Sequence, residues 1–166
     1  MRTLLYILLF IPLVALSQSD YDKLVQEMNV PNDIIKAFHE SSIDTLLAFS
    51  FHLNPFYLRG DFDADGKVDY AILIKHKKTE KHGIAICLSS NKQVFIMGAG
   101  KYFANADDYL AYDIWMVSEK LSGYKTNWED NALNMVAEGI MVEKSMSASG
   151  MIYWNGKEFK WYQLTD

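Results

Sequence analysis

The run Gly60-Asp61-Phe62-Asp63-Ala64-Asp65-Gly66-Lys67-Val68-Asp69 carries carboxylates at positions 61, 63, 65 and 69. Calcium is a hard cation that takes about 6–8 oxygen ligands at ~2.3–2.6 Å. Carboxylates at every second position of a tight loop can converge on one point, and Gly66 permits a sharp turn after the third acid. Lys67 contributes its backbone carbonyl rather than its ammonium, and Asp69 closes the loop. Acids packed this densely repel one another unless a cation sits among them. The expected ligand set is Asp61, Asp63, Asp65, Lys67 and Asp69, and the expected ion is Ca2+. The alternative is a solvated acidic turn in which Asp and Gly serve only the backbone geometry.

The first half of the run matches an EF-hand loop and the second half does not. With Asp61 in the opening position, Ile72 falls where an EF-hand places its bidentate Glu. The residues that follow, Tyr70-Ala71-Ile72-Leu73-Ile74-Lys75-His76, favour a strand. The loop is therefore expected to join strand to strand. This G-D-x-D-x-D-G-x-x-D pattern with its following apolar strand, Gly60 to Ile74, resembles the FG-GAP/VCBS repeat of integrin-type β-propellers. The resemblance implies calcium held by Asp61, Asp63, Asp65 and Asp69, with the carbonyl of Lys67. It does not imply the propeller, which needs about 4–8 blades of roughly 40–50 residues each. Extracellular calcium modules commonly bind at about 10⁻⁴–10⁻³ M, a range that suits a structural staple rather than a sensor.

Other residues that could do chemistry lack a recognisable setting. The sequence has no G-x-S-x-G elbow, P-loop or H-E-x-x-H. The expectation is a non-enzymatic protein. Glu129, Asp130, Glu138 and Glu143 leave open a carboxylate pair for glycoside hydrolysis. His76 and His82 flank a basic tip and could face each other across a hairpin, whereas His39 and His52 read as isolated surface or boundary residues. Cys87 alternates with Ile84, Ile86 and Leu88 and reads as a small buried thiol. Near the C-terminus, alternation separates Trp154 from Tyr153, and Phe159 and Trp161 from Tyr162. One of these faces is core, and the other is a candidate strip in which Trp154 and Trp161 bind a partner. Cross-strand aromatic pairing accounts for the same pattern.

These residues need elements to position them. Tyr21, Leu24, Val25 and Met28 form one helical stripe, and Ile34, Ile35 and Phe38 another that Asn32 would cap. Residues 43–53 fit both helix and strand. Strands are expected over 56–60, 68–76, 83–89, 93–98, 112–118, 134–144, 150–154 and 158–163. Residues 99–111 read as loop or short helix, and 121–132 as a polar loop. Asn155-Gly156 predicts a type I′ hairpin turn. The expected fold class is α+β, with two N-terminal helices packed on a mostly antiparallel sheet of about seven strands.

Composition bounds the rest. The chain has 166 residues, half of them hydrophobic, which excludes disorder for the whole chain. The formal net charge of −5 argues against a nucleic-acid partner. One cysteine excludes an internal disulfide framework. Residues 1–17 carry a basic start, an apolar run from Leu4 to Leu16, and small residues at Ala15 and Ser17, the pattern of a signal peptide. Residues 18–166 then form one domain without a transmembrane segment, exported to the periplasm or secreted. Calcium and an unknown extracytoplasmic protein or glycan are its expected partners. The rival readings are a carbohydrate or envelope-glycan binding module, and a secreted inhibitor of an enzyme such as lysozyme.

Overall fold

A computed structural model describes residues 18–104 and 106–166. The expected signal peptide, residues 1–17, lies outside them. The described chain is mostly β, with 40% strand and 13% helix, and its eleven strands fall in three sheets. This corrects the expected α+β arrangement of two helices on one sheet.

The helices show why. Helix α1 spans Gln18–Asn29 and α2 spans Asn32–Glu40. The apolar stripe of α1 stays largely in solvent, with Tyr21 at 59%, Leu24 at 48% and Met28 at 76% exposure. Helix α2 buries a face through Ile34 and Phe38. Its N-cap is Pro31, whose carbonyl accepts the N–H groups of Ile34 and Ile35, so Asn32 is already helical.

The first sheet holds β1 (Leu47–Phe49), β2 (Tyr57–Gly60), β3 (Asp69–His76), β4 (His82–Cys87) and β5 (Val94–Gly98). Strands β1 and β2 share one edge of β3, pairing with its residues 74–76 and 69–72, and β4 takes the other edge. Strand β3 is thus central, and its near-continuous apolar run reflects cover on both faces. Ala71 and Leu73 point one way with Ile84 and Ile86, into the core shared with the second sheet. Ile72 and Ile74 point the other way with Ala85 and Cys87, against Ile34 and Phe38 of α2.

The second sheet runs in the order β11-β10-β9-β6, from β6 (Ile114–Ser118), β9 (Gly139–Glu143), β10 (Ser149–Trp154) and β11 (Phe159–Thr165). Its inner face supplies Trp115, Ile140, Val142, Ile152 and Phe159 to the inter-sheet core. Its outer face, with Met151 and Tyr162, packs on Leu133 and Met135. Leu133 belongs to a small ribbon of β7 (Ser122–Tyr124) and β8 (Leu133–Asn134). The layers therefore run helix, sheet, sheet, ribbon.

Several local expectations change. Residues 43–53 divide into a 3₁₀ turn, Ile43–Thr45, and β1. The single strand expected over 134–144 is interrupted before Gly139, where a Cβ would meet Met135 Cε at 2.5 Å and Met151 Sδ at 2.8 Å. The turn between β10 and β11 is not type I′, because only Gly156 of its central pair has positive φ. Instead Asn155 Oδ1 accepts the N–H groups of Lys157 and Glu158.

Candidate functional site: an acidic loop between two sheets

The Asp-rich segment connects β2 to β3, and the Gly60–Asp69 pair closes it at its base. Phe62 is the anchor. It is fully buried and joins the inter-sheet core, so the acids on either side of it turn outward. Ala64 and Gly66 both take positive φ, at 64° and 80°, which folds the tip back on itself.

The carboxylates are oriented by the loop's own backbone. Asp61 Oδ1 accepts the Asp65 N–H at 3.1 Å, and Asp61 Oδ2 accepts that of Gly66 at 3.0 Å. Asp63 Oδ1 shares the Asp65 N–H at 3.2 Å, while its Oδ2 accepts the Ser90 hydroxyl at 3.3 Å. Asp65 Oδ1 accepts the Lys67 N–H at 2.8 Å. Oxygens of Asp61, Asp63 and Asp65 lie within 4.8 Å of one another. An ionised carboxylate has about four acceptor sites, so these bonds leave lone pairs for a cation. The Lys67 ammonium is 3.6 Å from Asp65 Oδ2 and offsets part of the charge.

Asp69 stands apart from the other three. It is 0% exposed. Its Oδ2 accepts the Phe62 N–H at 3.0 Å. Its Oδ1 accepts the Ser89 N–H at 2.8 Å and the Ser89 hydroxyl at 3.3 Å. Burial pushes its carboxyl up from the ordinary value, the two N–H bonds oppose this, and Asp63 and Asp65 add to the rise. In this geometry Asp69 is an internal strut that ties the start of the loop to the β4–β5 turn.

Glu138, on the approach to β9, belongs to the site and carried no sequence signal for it. Its Oε2 accepts the Asp61 N–H at 2.7 Å, and its own N–H donates to the Asp61 carbonyl at 3.1 Å. Gly60 makes room for this carboxylate, because a Cβ there would sit 2.8 Å from Glu138 Oε2. The loop is thereby fastened to both sheets.

Trp154 and Trp161 lie on neighbouring strands, far in sequence from the loop, and both are half-buried against the inter-sheet core. The Trp154 ring meets Phe159 at 5.0 Å and Phe95 at 6.0 Å. Trp161 packs over Gly150, where any Cβ would collide with the indole. Its Nε1 donates to Gln163 Oε1 at 2.9 Å. The opposite aromatic face, with Tyr153 and Tyr162, is covered by the ribbon side.

Other candidates resolve into structural roles. Burial pushes the Cys87 thiol up to about 12, with help from the charge of Asp69. His76 does not face His82. Its Nδ1 accepts the N–H groups of Lys78 and Thr79 at 3.2 Å each. Of the carboxylates considered for hydrolysis, Glu129 accepts the Gln163 N–H and Glu138 that of Asp61. No helix among the described residues is long and apolar enough to cross a membrane. Comparison of the chain with family models, curated proteins and solved structures finds no match.

Proposed function

We propose that this chain is an exported, non-enzymatic module that binds one structural calcium ion in the loop between β2 and β3. The observation that carries the reading is the cluster of Asp61, Asp63 and Asp65 oxygens within 4.8 Å. Hard oxygen donors in that number and spacing suit calcium better than a softer metal. The backbone N–H bonds to these carboxylates support it further, because donors already oriented lose less freedom on binding the ion. Asp69 serves as the strut beneath the site, and Lys67 contributes its carbonyl. The signal-like residues 1–17 support export, where external calcium is available. The module's working surface engages an extracytoplasmic partner. Half-burial of Trp154 and Trp161 favours a protein partner over glycan stacking on those two rings.

Equilibrium dialysis against calcium tests the reading. One ion should bind per chain with a dissociation constant of about 10⁻⁴–10⁻³ M. Asp63→Asn and Asp65→Asn should each weaken it at least tenfold. Binding that is unchanged in both variants would overturn the assignment.

A further inference from the structure

A cavity of about 430 Å³ lies between helix α2 and the end of the first sheet, where β3 begins and β4 ends. The helix supplies Asp33, Lys36, Ala37 and Glu40, whose i, i+3, i+4, i+7 spacing makes one stripe. This stripe flanks the apolar face that Ile34 and Phe38 bury. The sheet side supplies an apolar wall from Val68, Tyr70 and Leu88. Val68 is 45% exposed, an apolar side chain with no cover. The Tyr70 ring is steadied by the Tyr57 ring at 6.1 Å and by the Arg59 guanidinium at 5.9 Å. Cavities of about 300–1,000 Å³ with apolar walls and a few polar groups are the ones that take small ligands.

The four charged groups around this cavity differ in availability. Lys92 Nζ sits 3.4 and 3.1 Å from the two carboxylate oxygens of Glu40, an ion pair that joins α2 to the β4–β5 turn. These two groups satisfy each other. The side chains of Asp33 and Lys36 have no hydrogen-bond or ion-pair partner among the described residues. They stand three positions apart on one helix, where Cβ atoms are about 5–6 Å apart, and they do not pair with each other. One unpaired carboxylate and one unpaired ammonium therefore border the same cavity. Ser89 also borders it, but its N–H and hydroxyl are committed to Asp69.

We propose that this cavity binds a free α-amino acid with an apolar side chain. Such a molecule carries a carboxylate and an ammonium on one carbon, next to an apolar body. Lys36 takes the carboxylate and Asp33 the ammonium, both through charge-assisted hydrogen bonds. Val68, Tyr70 and Leu88 cover the side chain. Two lysines and two acids leave the lining with no net charge, so neither a simple anion nor a simple cation is drawn in by its sign. A simple anion meets repulsion from Asp33, and a simple cation from Lys36. A molecule that carries both charges satisfies both groups at once. The proposal does not rest on calcium in the acidic loop.

The test is amide NMR titration of the whole protein with L-phenylalanine and with L-leucine, each alone, in about 1 mM calcium throughout so that the acidic loop stays in one state. At least one of the two should bind saturably, with a dissociation constant of about 1–10 mM, ordinary for a ligand of this size. The shifts should centre on the amides of Val68, Tyr70, Leu88 and Ser89, a readout that needs no variant. 3-Phenylpropionate lacks the ammonium and phenethylamine lacks the carboxylate, and each should bind at least fivefold more weakly than L-phenylalanine. Asp33→Asn and Lys36→Met, both at exposed helix positions, should each weaken amino-acid binding at least fivefold. No saturable shift with either amino acid, shifts centred elsewhere, equal binding of either one-charge analogue, or unchanged binding in either variant would overturn the proposal.

Discussion

Glu138 and Asp61 bond reciprocally. The Glu138 carboxylate accepts the Asp61 N–H at 2.7 Å, and the Glu138 N–H donates to the Asp61 carbonyl at 3.1 Å. The two residues are 77 positions apart in sequence. Through this pair the first acid of the loop is held by the approach to β9, while Asp69 at its base is held by the β4–β5 turn. The candidate ion site thus sits where the two sheets are fastened together.

Glu138→Ala should therefore weaken both the fold and the site. A hydrogen bond to a charged group contributes about 1.5–3 kcal/mol. The expected outcome is a loss of that order in chemical denaturation, together with weaker calcium binding in dialysis. Normal calcium affinity in the variant would show that the loop does not depend on this tether.

Asp69→Ala should behave differently from Asp63→Ala. Removing the buried carboxylate leaves the Phe62 and Ser89 N–H groups without their partner. The Phe62 N–H is buried, and its loss of a partner costs about 1–3 kcal/mol, whereas Ser89 is exposed and its N–H can turn to water. Asp69→Ala should lower the unfolding midpoint in chelator as much as in calcium. Asp63→Ala should leave the chelator midpoint unchanged or slightly higher, because it relieves repulsion. Thermal scans of both variants under both conditions read this directly.

Gly60→Ala should destabilise without adding any charge. The new Cβ would lie 2.7 Å from the Phe62 ring and 2.8 Å from Glu138 Oε2. Overpacking of this kind costs about 1–3 kcal/mol. Denaturant unfolding with an unchanged slope and a lower midpoint is the expected result.

Cys87 should be inert to alkylation at pH 8 in the native protein and reactive in urea, because burial pushes its thiol up to about 12. Burial also pushes Tyr109 and Tyr112 above the ordinary phenol value. All three groups hold their protons longer in the folded state than in the unfolded one. Their contribution is complete below the unfolded values, 9.0 for the thiol and 10.0 for the phenols. It is lost as pH rises above them. Unfolding midpoints measured from pH 8 to pH 11 should fall across the upper part of that range.

Local pattern made some of this architecture legible. The period-2 alternation of β4 separated Ile84 and Ile86 from Ala85 and Cys87, and those sets do face different layers. The strand–loop–strand setting of the acids also followed from the β-forming run Tyr70–His76 after them. What local pattern cannot carry is the identity of the covering layer. Tyr21, Leu24 and Met28 keep helical spacing, yet all three are exposed. Trp154 and Tyr153 point to opposite faces, and each face is covered by a partner distant in sequence. Asp69 reads like the other acids, and only its burial beneath Ser89 sets it apart. Glu138 and the His52–His82 contact depend wholly on long-range packing, which leaves no periodic trace.

The central claim is a structural calcium ion in the loop, and thermal unfolding tests it most directly. At about 1 mM calcium and a dissociation constant of about 0.1 mM, binding adds roughly 1.4 kcal/mol. The midpoint in calcium should then lie about 3–6 °C above that in chelator. Magnesium should have little effect, and Asp65→Asn should erase the shift. An identical midpoint in chelator and in about 10 mM calcium would contradict the account and leave Asp61–Asp69 a polar turn between two strands.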